Sequence, residues 1–334
     1  MEKSSAFRRF FKARGMGPAL TAFAGFLMIY IAFGIINPQV FSSGNIMNLL
    51  RSMSKYLLIG IGQSYVLITG NIDLSIGSVV GMSAMISATL MTKGMHPLLA
   101  ILVAMVCCMA VGVINGFLVG KFRLPPFIAT LGTMFVARGV AYMVNGNRNT
   151  DAIASGIGKG AADKMQNFFY YGKTLGAYNT FWIAIVLFVI FFFLLQKTRT
   201  GRHIYAIGSN LDAAKLSGVN VGAAATKAYL VSAFCSFVVG LILCAQAGMG
   251  NMEAGTMYEM YGVAAGVIGG VSPLGGTGIL LGTLAGSAVW QTLENGLNMI
   301  GAQVGIQRLV IGVIVVLSVL IEVVFRGKKF RWKR

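Results

Sequence analysis

The sequence predicts an all-α integral membrane protein, one polytopic bundle of ~10 transmembrane helices with both termini in the cytoplasm. Three observations predict it. Of 334 residues, 56% are hydrophobic and only 11% charged, with a mean hydropathy of +0.77. Ten apolar runs divide the chain, and the cations gather in the segments between alternate runs. Soluble domains carry roughly 25% charged residues because their surface faces water. This chain falls well short, so lipid must solvate much of its surface.

A span needs ~20 apolar residues, and shorter runs can serve. The runs are 19–36, 56–70, 74–92, 98–120, 126–144, 181–196, 223–248, 258–270, 277–299 and 304–325, the second and eighth being short. Lys3, Arg8, Arg9, Lys12 and Arg14 precede the first run. That run is long for a signal core, and Asn37-Pro38-Gln39 follows it rather than a small-x-small site, so a retained helix is expected. With the N-terminus inside, segments 1–18, 71–73, 121–125, 197–222, 271–276 and 326–334 carry 17 Lys and Arg. The outer segments 37–55, 93–97, 145–180, 249–257 and 300–303 carry 7. This is the positive-inside bias. It also accounts for the net charge of +18, which in a soluble protein would point to nucleic acid; no nucleic-acid partner is expected. If 258–270 and 277–299 made a single span, the basic tail 326–334 would land outside. Both therefore cross or neither does, and an even total is firmer than the number ten.

Cys107, Cys108, Cys235 and Cys244 all fall inside apolar runs without metal-ligand spacing. They read as small hydrophobes, with no disulfide framework and no metal site. Glycines four apart at Gly77/Gly81, Gly112/Gly116/Gly120, Gly266/Gly270 and Gly278/Gly282/Gly286 suit close helix packing.

Few polar groups interrupt the runs. Asp73, in Ile68-Thr69-Gly70-Asn71-Ile72-Asp73-Leu74-Ser75, reads as the N-cap of a helix from Leu74, or as a transport residue. Pro125-Pro126, after Lys121 and Arg123, marks the inner start of a span. Arg138 lies toward the outer end of that span, where it either snorkels or serves a pathway. Gln291, Glu294 and Asn298 put a polar face on a later helix, lining a path or bonding a neighbour. The candidate path comprises Asn71, Asp73, Ser75, Asn115, Thr130, Gln291, Glu294 and Asn298.

The inner segment 197–222 contains a delimited short helix. Ser209 and Asp212 form a capping pair, Leu211, Ala214 and Leu216 share an apolar side, and Gly218 suits the stop. A helix this short is marginal alone, so its bundle or a partner must hold it. His203 reads as an interfacial side chain, since no second ligand is near. The glycine-rich stretch 264–278 is a tight inner turn. No G-x-x-x-x-G-K-[ST] occurs in the sequence, so neither catalytic residues nor ATP hydrolysis are expected in this chain.

Three blocks together resemble the permeases of ribose/galactoside-type ABC sugar importers, related to branched-chain amino-acid permeases. They are residues 69–77 (Thr-Gly-Asn-Ile-Asp-Leu-Ser-Ile-Gly), 126–133 (Pro-Phe-Ile-Ala-Thr-Leu-Gly-Thr) and 200–219, from Thr200-Gly201-Arg202 through Ala213-Ala214-Lys215 to Val219. The glycine-rich 268–278 adds a fourth match. The resemblance runs from about residue 45 to 322. It implies a bacterial inner-membrane permease working as a dimer, either two copies or a pair with a similar permease. It implies a separate cytoplasmic ABC ATPase using ATP and Mg, and a periplasmic or lipid-anchored sugar-binding protein. On this reading 1–18 is a cytoplasmic N-terminal segment, 145–180 a periplasmic loop, 197–222 a cytoplasmic coupling loop and 326–334 a cytoplasmic tail. Gly201, Ser209, Leu211, Asp212, Ala213, Ala214, Lys215, Ser217 and Gly218 would then contact the ATPase. Two positions depart from the usual pattern: Asn71 replaces a glycine, and Tyr261 stands where an Asp is usual.

Two other classes compete. An ion-coupled secondary transporter needs membrane carboxylates, and Asp73, Glu259, Glu294 and Glu322 are available. A membrane enzyme needs a nucleophile–base or metal constellation, and the two histidines, His96 and His203, fall on opposite sides of the predicted membrane.

Overall fold

The computed structural model describes residues 16–310, 312–314, 316–317 and 320. Helices dominate. In chain order the long ones are α1 (Met16–Ile36), α2 (Ser43–Ile68), α3 (Ile76–Thr92), α4 (Pro97–Gly120) and α5 (Pro126–Met143). Two short helices follow, α6 (Ala154–Ile157) and α7 (Lys159–Gln166), then a π-turn and a two-stranded hairpin, β1 (Lys173–Thr174) with β2 (Ala177–Tyr178). The chain continues through α8 (Asn179–Lys197), α9 (Arg199–Ser209), α10 (Leu211–Leu216), α11 (Val221–Ala247), α12 (Tyr258–Ile268) and α13 (Leu280–Met299). A further helix starts at Val304. The basic tail 326–334, residues 1–15 and the end of the run 304–325 lie outside the described residues.

Among the described residues, five helices are long and apolar enough to cross a membrane: α1, α4, α5, α8 and α11. Burial sorts them. The sides of α1, α4, α5 and α8 expose Met28, Ile35, Val106, Phe135 and Phe193, as a lipid-facing belt requires. In contrast, α2, α3 and α11 are almost wholly buried at the centre, where Leu57, Leu58, Val80, Met85 and Ile242 are sealed off. The interior offers no hydrophobic gain over lipid, so close packing must hold these helices together. The Gly112/Gly116/Gly120 stripe of α4 does this against α11: a Cβ on Gly116 would run into Thr226, and one on Gly112 would sit 2.9 Å from the Tyr229 carbonyl oxygen.

Several expectations shift. The second run is not short: α2 has 26 residues and begins at Ser43, where Ser42 accepts from the Asn45 amide as its N-cap. Arg51 and Lys55 therefore belong to α2 rather than to an outer loop. The eighth run does form a short helix, α12, of 11 residues. Helix α3 starts at Ile76 with Ser75 as its N-cap residue, two positions later than expected. Asp73 instead accepts from the Ser75 N–H at 2.9 Å, an Asx-type turn ahead of the helix. In the segment 197–222, α9 is a helix where only a loop was expected. Its Thr198 N-cap accepts from Gly201, and it buries Gly201, Ile204 and Ile207.

Candidate functional site

The break between α2 and α3 builds the first cluster. Residues 69–75 leave the helical path inside the bundle, where unpaired backbone is costly and side chains must compensate. Asp73 is 2% exposed. Its Oδ1 accepts from the Ser75 N–H and from Ser75 Oγ at 2.6 Å, and its Oδ2 accepts from Ser232 Oγ at 2.7 Å. Asn115 Nδ2 donates to Ser75 Oγ at 2.9 Å, and Thr133 Oγ1 donates to Asn115 Oδ1 at 2.6 Å. Tyr229 donates its hydroxyl to the Ile72 carbonyl at 3.1 Å. The chain of bonds ties the break to α4, α5 and α11. Three expected residues, Asp73, Ser75 and Asn115, thus come together, joined by Ser232 and Thr133, which sequence reading missed. Two stay local: Thr130 donates to the Pro126 carbonyl of its own helix, and Asn71 to Thr69 Oγ1.

Arg138 does not snorkel, and among the described residues it pairs with no acid. Its guanidinium donates to the carbonyls of Met252 (2.9 Å), Ala254 (3.0 Å) and Gly77 (3.1 Å). It pins the segment before α12 onto α3.

The second cluster stands on α13, away from the first. Tyr56 donates its hydroxyl to Glu294 Oε2 at 2.7 Å. Trp290, Tyr258 and Tyr261 surround that pair. Gln291 is buried with its Oε1 unpartnered. Asn298 is exposed and bonds Gln307 at 2.8 Å, so it does not share the inward surroundings of Glu294 despite their spacing. The aromatic members escaped sequence reading because rings at helical spacing look like ordinary core. Above the cluster, the Arg51 guanidinium lies 4.5 Å from the Tyr170 ring and 4.1 Å from the Tyr178 ring, attaching the 145–180 segment to α2.

The third cluster is the segment 197–222. Asn210, not Ser209, caps α10: its Oδ1 accepts from the Ala213 N–H at 2.9 Å. Ser209 ends α9 and is exposed, its Oγ 3.5 Å from the Gly276 carbonyl. Gly218 does close the helix, at φ +79°, with its N–H on the Lys215 carbonyl and the Val219 N–H on that of Ala214. The expected apolar side is divided. Ala214 is buried against Ile207 and Ala224, whereas Leu216 is 92% exposed and Leu211 also faces out. Asp212, Ala213 and Ser217 are exposed, and Lys215 reaches Asp212 at 3.5 Å in an exposed pair worth little. Gly201 has no outward role: a Cβ there would strike the Leu195 backbone.

This segment is seated on the membrane core. The Tyr205 hydroxyl donates to the Gly278 carbonyl at 2.6 Å, and burial raises its pKa to about 12, so it stays a donor at neutral pH. The Gly276 N–H in turn donates to the Ile68 carbonyl, the last residue of α2, at 2.8 Å. End of α2, glycine-rich turn and α9 are one contact.

A family model described as branched-chain amino acid transport system / permease component matches residues 45–319, and the chain belongs to this family. It is a multi-pass membrane permease component rather than an enzyme. It is 36% identical to a ribose import permease protein of Bacillus subtilis, over 92% of this chain and 94% of that one. It is 33% identical to the ribose import permease protein of Escherichia coli K12, over 89% and 91%. With a D-allose transport system permease protein of the same strain the identity is 31%, over 88% of each. No solved structure matches the chain.

Proposed function

We propose that this chain is the permease subunit of an ATP-driven, binding-protein-dependent importer in the bacterial cytoplasmic membrane, carrying a monosaccharide or similar small polar solute inward. The similarity to ribose and allose permeases along nearly the whole chain carries this reading. The bundle has ten crossings with both termini inside. Two permeases pair, lipid covers the exposed belts, and a soluble sugar-binding protein delivers the solute to the outer face. ATP and Mg are used by a separate cytoplasmic ATPase.

Helix α10 is the coupling element. Its exposed Leu211 and Leu216 insert into the ATPase, while buried Ala214 holds it to α9 and α11. Motion of the ATPase then passes through α9 to Tyr205, the glycine-rich turn and the inner end of α2. The alternative, ion-coupled transport, loses its best carboxylate, because both oxygens of Asp73 are engaged by hydrogen-bond donors.

The test is uptake in liposomes. The chain alone is expected to hydrolyse no ATP. With its ATPase and binding protein it takes up sugar when ATP is supplied, whether or not a protonophore is present. Uptake abolished by the protonophore and indifferent to ATP would overturn the proposal.

A further inference from the structure

The outer half of the bundle holds four aromatic rings that neither the Asp73 network nor the coupling segment uses. Tyr56 of α2, Tyr258 and Tyr261 of α12 and Trp290 of α13 form one cluster. Ring centroids are 5.0 Å apart for Tyr261–Trp290, 5.7 Å for Tyr56–Tyr261 and 6.1 Å for Tyr56–Tyr258. Interplanar angles of 40°, 81° and 46° show that these pairs do not stack face to face. Tyr56 and Trp290 are buried, whereas Tyr258 and Tyr261 are partly exposed, so the cluster opens along α12.

Polar groups border the rings. Glu294 accepts the Tyr56 hydroxyl through Oε2. Lys55 precedes Tyr56 on α2, and its Nζ lies 3.3 Å from Gln246 Oε1. Gln63 follows Tyr56 by seven residues on α2, hence on the same face two turns inward. It is 0% exposed, and neither its amide nitrogen nor its amide oxygen has a partner among the described residues. A Cβ on Gly262, the residue after Tyr261, would lie 3.2 Å from the Gln63 Cβ. Helical side chains lean toward the helix N-terminus, which here means toward Tyr56 and the rings. A buried amide with both ends unpaired is costly, and such groups are rare unless a missing partner completes them.

The chemistry selects the occupant. A purely apolar solute would leave the Gln63 amide unpaired. A cation would be drawn to the rings and Glu294 but would leave the Gln63 Nε2 donor unpaired. A polyol satisfies every group: its C–H faces pack on the rings, while its hydroxyls donate to Glu294 and to Gln63 Oε1 and accept from Gln63 Nε2 and Lys55. We infer that Tyr56, Tyr258, Tyr261, Trp290, Gln63 and Glu294 form the membrane site at which the permease holds a sugar-sized polyol in transit. This inference rests on the sugar-import reading. Binding there is weak, because a transit site must also release.

Trp290 is a built-in reporter. Replacing the other two tryptophans, Trp182 and Trp332, by Phe leaves it as the sole indole. The permease–ATPase complex in lipid nanodiscs is titrated with D-ribose, D-galactose and, as a cation probe, tetramethylammonium. At least one sugar is expected to change Trp290 emission saturably at millimolar or higher concentration. Gln63→Leu and Tyr261→Ala are each expected to raise the half-saturating concentration about tenfold, and Tyr261→Phe to leave it near the parent value. Gln63→Leu removes a buried unpaired amide, so it folds and co-purifies with the ATPase. Silence of Trp290 toward both sugars overturns the inference, as does a response to tetramethylammonium alone or a sugar response untouched by Gln63→Leu. The emission change needs no transport, so a complex that fails at ATP-driven uptake yet responds to sugar would overturn the import reading and not the site.

Discussion

A carboxylate buried among membrane helices must find donors or give up its charge, and Asp73 finds three. They come from the turn that Asp73 itself creates and from Ser232 on a helix more than 150 residues away in sequence. These bonds hold Asp73 at the point where α2 stops and α3 starts. Asp73→Ala leaves the Ser75 N–H and two hydroxyls without acceptors, at about 1–3 kcal/mol for each group left unsatisfied. Asp73→Asn keeps a carbonyl for the Ser75 donors and an amide that Ser232 can accept. The expected outcome is a clearly lowered thermal midpoint of the purified protein for Asp73→Ala and a nearly unchanged one for Asp73→Asn, read by size-exclusion after heating. Loss of uptake in a fully stable Asp73→Asn protein would show that the charge itself is needed. Asp73 stood out in the sequence because it is one of only nine acidic residues. Its partners were not, since Ser232 and Thr133 look like ordinary small helix residues until folding brings them together.

At the scale of elements, spacing decides which way a side chain faces. Successive residues are rotated by ~100° about the axis, so Ala214 and Leu216, two apart on α10, point to nearly opposite sides wherever the helix is capped. Ala214 turns inward and Leu216 outward. The existence of the short helix and its Gly218 stop were legible. Its face was not, because the neighbouring α9, whose Ile207 receives Ala214, was read as loop. The consequence is a sharp contrast between two substitutions. Leu216→Asp changes an almost fully exposed side chain, so the permease is expected to express and insert normally while losing co-purification with the ATPase. Ala214→Arg forces a charge into the Ile207–Ala224 contact and is expected to cost several kcal/mol, reducing expression itself. Full ATPase binding by Leu216→Asp would remove α10 from the docking surface.

For the whole molecule, composition and loop charge predict helices and lipid, and the helical starts fall near the apolar runs because lipid leaves the backbone few alternatives. The interior division was beyond reach: belt and core helices are apolar alike, and only packing distinguishes buried α3 from exposed α8. The cation bias makes a statement that spans the molecule, namely that 145–180 and 197–222 face opposite sides. The structure supplies good probe positions on each. Gly160 has open space around the position of a Cβ, and Asp212 has a side chain 88% exposed. The four native cysteines give little background, since Cys108, Cys235 and Cys244 are buried within helices and Cys107, half-buried on α4, can be replaced by Ser. In intact cells a membrane-impermeant maleimide is expected to label Gly160→Cys at once. It should label Asp212→Cys only after the membrane is opened. Arg51 strengthens the expectation for the outer side, because its contacts with Tyr170 and Tyr178 anchor the 145–180 segment to the start of α2. Labelling of Asp212→Cys in sealed cells would invert the bundle, putting α10 on the side opposite any ATP and ending its candidacy as the coupling helix.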